Sequence, residues 1–128
     1  MGPVRHPVRF GSEYGLTWVT GESLIDTGAT HCQIPASIAS TLRARHLRRS
    51  QVLLADGSIQ ERDIVYVLVE VDPSLPSVLT TAVVGPEGAP YLIGAVALEQ
   101  HGLGVDPGTQ RLVPDVPVLL RTSNWRTI

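Results

Sequence analysis

Apolar residues recur along this chain in short alternating runs, broken every few positions by glycine or proline. That rhythm is the one of strands and tight turns, not of long helices. Val4, Val8 and Phe10 mark a first extended segment, and Pro3 and Pro7 confine residues 1–10 to an edge strand or an arm. Residues 14–20 read as a second extended segment, Gly21-Glu22 as a turn, and residues 23–26 as a strand. Residues 31–34 form a short strand. Pro35 suits the first position of a helix, with Ile38, Leu42 and Leu47 along its apolar face. Arg43, Arg45, His46, Arg48 and Arg49 then read as its solvated basic end, where cations complement the helix dipole, with a patch for an acidic partner as the alternative.

Val52, Leu53, Leu54 and Ile59 flank Asp56-Gly57. Asp-Gly between two extended runs predicts a β-hairpin with a type I′ turn, which needs φ > 0 at both central residues. Residues 64–71 are almost continuously apolar and read as a central strand buried on both faces. Asp72-Pro73 and Pro76 make a turn, residues 78–84 a strand, and residues 85–90 a loop. Tyr91-Leu92-Ile93-Gly94 precedes a short helix over residues 95–102, which Gly102 stops. Residues 103–106 and 111–114 flank Pro107-Gly108-Thr109-Gln110 as a second hairpin. Residues 116–120 make a last apolar strand, and residues 123–128 a frayed tail. The expected architecture is mainly β with two short helices. It divides into an N-terminal arm or edge strand (1–14), one domain (15–122) and a C-terminal tail (123–128).

Composition narrows the function classes. The 128 residues make one domain, large enough for a real core. A formal net charge of −2 is too close to neutral to point to nucleic acid or an anionic membrane. The single cysteine, Cys32, excludes an internal disulfide and fits a reducing, cytoplasmic setting. The N-terminus shows no apolar signal-peptide core, and residues 64–71 are too short to span a bilayer. His6, His31, His46 and His101 are scattered, and His31 and Cys32 would point to opposite faces of a strand, so no metal site is expected. No glycine-rich phosphate loop appears. Cofactors are expected to be none.

The chemistry concentrates in Leu24-Ile25-Asp26-Thr27-Gly28-Ala29-Thr30. An apolar pair runs into an aspartate, and Gly28 permits a sharp turn with φ > 0 without blocking a ligand. A bare Asp-Thr-Gly arises by chance in about one chain in 40 of this length, so its context decides. Here the context matches in order: Asp-Thr-Gly-Ala, the Asp-Gly hairpin, Leu92-Ile93-Gly94 before a helix, and a closing Leu-Gly-Val-Asp-Pro hairpin. In this the chain resembles the retropepsin-like aspartic proteases, and their small bacterial members in particular, over roughly residues 15–120.

The resemblance implies a single-lobe, closed β acid-protease fold. It further implies a homodimeric aspartic endopeptidase acting on peptide or protein substrates, with one Asp26 from each chain. Thr27 resembles the residue whose hydroxyl bonds across such a dimer, and Gly28 the one that presents its carbonyl to substrate. Ala29, Thr30 and Ile93 would line the site. Ala55, Asp56, Gly57 and Ser58 would be a flap over the cleft, and the glycine of Leu92-Ile93-Gly94 would let that strand pass close beneath the catalytic loop. The chain departs from the retroviral pattern in two features: Thr30 and His31 stand where an acidic residue is usual, and Ala95 stands in place of the arginine that partners it. A retropepsin-like domain that dimerises or binds peptide without cleaving it is the alternative reading.

Overall fold

The computed structural model describes residues 4–114. The strand expected over 116–120 and the tail expected over 123–128 lie outside the described residues.

β1 (Val4–Gly11) and β2 (Trp18–Ile25) form an antiparallel pair in unbroken register from Val4↔Ile25 to Gly11↔Trp18. Strand alternation buries Val8 and Phe10 and turns Arg5, Pro7 and Arg9 outward. β1 also pairs with β5 (Ile59–Glu70) over Arg9, Phe10 and Gly11. Within β1, only the first half has no second neighbour among the described residues, and that half carries Pro7, which has no N–H to give one.

β2 runs straight through Gly21-Glu22, where a turn was expected. Gly21 pairs with Val8, and a Cβ there would come within 2.7 Å of the Tyr91 ring. The glycine makes room for an aromatic side chain rather than bending the chain. Phe10 stacks on the same ring, with centroids 5.4 Å apart.

β3 (Cys32–Pro35) leads into α1 (Ala36–Thr41). Pro35 caps this helix in an extended conformation (ψ 154°) instead of occupying its first turn, because it still pairs with Gly85. The helix ends after six residues, and Arg43 turns the chain with φ of 48°. Leu47 and most of the basic cluster therefore lie not on a helix but on β4 (His46–Leu53). The physical reason is the neighbouring strand: Arg49 sits opposite Asp63 and bonds both Glu61 and Asp63 at 3.2 Å, a cross-strand charge pairing that a solvated helix end would not offer.

The β4–β5 hairpin forms as expected, with a different turn. Gly57 (φ 86°) is left-handed, whereas Asp56 is not. The Gly57 N–H donates to Leu54 O at 2.9 Å and the Leu54 N–H to Ser58 O at 2.8 Å. This is a three-residue loop closed by a glycine bulge, not a type I′ turn. Along β5, Val65, Val67 and Val69 enter the core while Tyr66, Leu68 and Glu70 on the other face are half-buried. The strand is buried fully on one face only.

β6 (Val78–Gly85), β7 (Tyr91–Ile93) and α2 (Ala95–Gln100) follow, and β8 (Gly104–Asp106) pairs with β9 (Arg111–Val113) as the second hairpin. The main sheet runs β1-β2-β7-β3-β6-β5-β4, and the β1–β5 pairing closes it. β2–β7 and β3–β6 are parallel, and the other pairings are antiparallel. Phe10, Ile25, Ile34, Val67, Ile93 and Leu98 fill the interior. Among the described residues, no helix is long and apolar enough to cross a membrane.

Candidate active site

β2 ends at Ile25, whose side chain is buried, and the chain emerges at Asp26. Ile93 at the end of β7 fixes this exit: the Asp26 N–H donates to Ile93 O at 2.9 Å. Oδ1 of Asp26 accepts the Gly28 N–H at 2.9 Å, and Asp26 O accepts the Ala29 N–H at 3.2 Å. One carboxylate oxygen thus braces the turn, and the other accepts no hydrogen bond among the described residues. Asp26, Thr27 and Gly28 are all exposed, and Gly28 makes the turn without the positive φ expected of it, because the Asp26 carboxylate closes the turn.

The loop is held from beneath by α2. Ala29 O accepts the Ala95 N–H at 2.7 Å and Thr30 O the Val96 N–H at 3.2 Å. Two helix-terminal N–H groups, which have no intrahelical partners, are satisfied by the loop that carries Asp26. The approach is so close that a Cβ at Gly94 would lie 2.4 Å from His31 O and 2.8 Å from Ala29 O. The expected crossing of the Leu92-Ile93-Gly94 strand under the aspartate loop is present in full.

Around this platform, the other candidate residues are distributed unevenly. Ala29 is half-buried, and Thr30 is exposed. The Ile93 side chain is entirely buried, so its part in the site is its carbonyl and the core it fills. Nδ1 of His31 lies 2.9 Å from Oγ1 of Thr81 on β6. The Cys32 thiol is buried beside the Gly94 N–H, and burial pushes its pKa up to about 11. Such a thiol is a poor nucleophile. Ala55, Asp56, Gly57 and Ser58 form the exposed tip of the β4–β5 hairpin. The Ser58 hydroxyl and N–H, at 2.6 and 2.9 Å, hold the Asp56 carboxyl below its usual range. Among the described residues, no hydrogen bond joins this tip to the Asp26 loop.

The carbonyls of Ala29 and Thr30 went unrecognised as structural groups in the sequence reading. Every residue carries a carbonyl, so no residue type could have signalled them.

No family model matches the chain, and no curated protein matches it. A solved structure does: the retroviral protease-like domain of Ddi1 from Leishmania major. It superposes with a TM-score of 0.58 at 15% identity, over 90% of this chain and 90% of that one. The fold is retropepsin-like. At this identity the likeness carries the fold alone, and the retropepsin-like fold does not by itself assign an activity. What the chain adds is its own Asp-Thr-Gly, placed at the end of β2 with its loop locked to β7 and α2.

Proposed function

We propose that the protein is a homodimeric aspartic endopeptidase in which Asp26 of one chain faces Asp26 of the other. One observation carries this reading: on a retropepsin-like fold with a single Asp-Thr-Gly, Asp26 is braced through one carboxylate oxygen and by its own N–H, and it stays open to solvent. Peptide hydrolysis without a metal needs a base for water and an acid for the products. Two carboxylates roughly 3 Å apart cannot both ionise, so the pair holds one proton and supplies both.

In the proposed reaction the ionised carboxylate takes a proton from a water molecule while the water oxygen attacks the scissile carbonyl. The protonated partner gives its proton to the carbonyl oxygen, forming a gem-diol. As that intermediate collapses, the carboxyl that took the water's proton gives it to the nitrogen, the C–N bond breaks, and one hydroxyl proton returns to the other carboxylate, leaving a carboxylic acid and the starting pair. The Thr27 hydroxyl would link the two chains below the aspartates, and Gly28 would offer its carbonyl to the substrate backbone. Ala29 and Thr30 would line the cleft, with Ala55, Asp56, Gly57 and Ser58 as the flap that closes it. A cytoplasmic setting fits the free thiol at Cys32, and residues 15–122 would be the working domain.

The second reading, a dimerising or peptide-binding domain without catalysis, draws on one feature. Thr30-His31 and Ala95 stand where retroviral enzymes carry an acid and its arginine partner, and here His31 is engaged with Thr81 instead. A peptide-library digest across mildly acidic pH, with and without pepstatin, separates the two. Pepstatin-sensitive cleavage with a bell-shaped pH profile, lost in Asp26→Asn, is the expected outcome. Cleavage that survives Asp26→Asn excludes the aspartic mechanism, and a dimer that cleaves nothing at any pH leaves the binding domain.

A further inference from the structure

β4 ends the sheet, and among the described residues only β5 pairs with it. Because the Leu54 N–H bonds to β5, antiparallel alternation directs Ser50 and Val52 inward as well. Arg49, Gln51 and Leu53 therefore turn their N–H and C=O groups away from the sheet. This is an open template for another strand.

The two faces of the hairpin differ in charge. On one, Arg49 is matched by Glu61 and Asp63, and His46 also reaches Asp63 at 3.2 Å. On the other, Arg48 and Arg62 lie on adjacent strands, Arg62 opposite Ser50. Their side chains bond only Ser50 and Gln60, and no described carboxylate pairs with either.

The foot of β4 adds an apolar anchor. A groove of about 560 Å³ is lined there by Tyr14, Leu16, Leu42, Arg43 and Arg45, among others. Tyr14 is 85% and Leu16 87% exposed. They are not loose: Oγ of Ser12 accepts the N–H groups of Leu16 and Thr17 at 3.1 Å, and Glu13 grips Arg45 through two bonds of 2.7 Å. A braced loop that holds two large apolar side chains in water has the form of a recognition surface.

We propose that the outer edge of β4 and the groove at its foot dock an extended acidic segment of a partner protein as an added strand. Acidic side chains would lie beside Arg48 and Arg62, and an apolar residue would seat against Tyr14 and Leu16. The charge argues for this occupant over a second copy, since β4 (His46–Leu53) carries no Asp or Glu to set beside the Arg48 and Arg62 of another chain. The bland reading is that these arginines merely protect the edge from aggregation, which predicts no binding.

The test is fluorescence anisotropy of the full chain with a labelled peptide of about ten residues, alternating glutamate with threonine and ending in Leu-Phe. Binding with Kd on the order of 10⁻⁵ M is expected, weakening with salt as exposed charge pairs are screened. It should fall about tenfold or more in Arg48→Glu/Arg62→Glu, and likewise in Gln51→Pro, which removes an outward N–H without touching the β5 ladder. The lysine-for-glutamate peptide should not bind. Equal binding of both peptides, or none at millimolar concentration, overturns the proposal. So does preferential competition by a peptide of residues 115–128, or self-association that Arg48→Glu/Arg62→Glu abolishes. None of these readouts depends on catalysis, so the outcome stands apart from that of the Asp26 experiment.

Discussion

At the scale of single residues, Gly94 and Cys32 tie the aspartate loop to the core. A methyl group at position 94 meets two backbone carbonyls, which cannot swing aside as a side-chain tip would. Gly94→Ala should therefore cost about 1–3 kcal/mol, read as a lower urea midpoint, and should displace the loop that presents Asp26. An unchanged midpoint would contradict the crowding. Cys32 gives a pH signature. Its thiol pKa rises from 9.0 to about 11 because burial disfavours the thiolate, with the Gly94 N–H pulling weakly the other way. The folded state thus keeps a proton that the unfolded chain loses. Stability from this group is fully present below pH 9.0 and fades as pH rises through about 11. The loss is on the order of 2–3 kcal/mol. Cys32→Ala should flatten this alkaline decline in unfolding curves, and the native thiol should resist alkylation at pH 8. The part played by Gly94 was readable in advance through the family resemblance that Leu92-Ile93-Gly94 carries, and not from its local sequence alone. That Cys32 sits beside Gly94 was not readable, since nothing local links residues so far apart in sequence.

At the scale of elements, the proposed flap is the hairpin between β4 and β5. Its tip is exposed, and its order rests on Gly57 in the left-handed region and on the Asp56–Ser58 contacts. Loops that admit a substrate come from the less stable parts of a fold. Gly57→Val should distort the turn, because a β-branched residue resists φ > 0. If the hairpin acts as a flap, turnover should fall about tenfold or more while the dimer survives, measured as kcat/KM beside sedimentation. Unchanged kinetics would remove the hairpin from the mechanism. Elements whose apolar pattern and turn residues agreed were legible: β1, β5, β6, β7, α2 and the hairpins. The misreadings share one physical source, which is that a neighbour overrode a local signal. Gly21 looked like a turn but is a slot for Tyr91. The basic run looked like a helix end, yet carboxylates at Glu61 and Asp63 draw it into a strand. Asp56 looked like half of a type I′ turn, but its carboxylate bonds Ser58 and leaves the left-handed conformation to Gly57 alone.

At the scale of the molecule, closure of the sheet between β1 and β5 makes one lobe with one Asp-Thr-Gly loop. A lobe of this kind has half of the acid–base pair that the proposed reaction needs, so the account requires two copies related by a two-fold axis. Sedimentation should show a dimer at tens of micromolar, an order of magnitude set by moderate affinity. A monomer alone at that concentration would oppose it. The aspartate turn and its place in the chain were legible from sequence, whereas the chain-to-chain arrangement rests on the proposal. The most direct measurement mixes wild type with Asp26→Asn at constant total protein, after time for subunits to exchange, and follows cleavage. If each site needs Asp26 from both chains, activity falls as the square of the wild-type fraction, and an equal mixture keeps about a quarter of the full rate. If activity instead falls in simple proportion, so that the equal mixture keeps about half, each chain works alone and the shared Asp26 pair is contradicted.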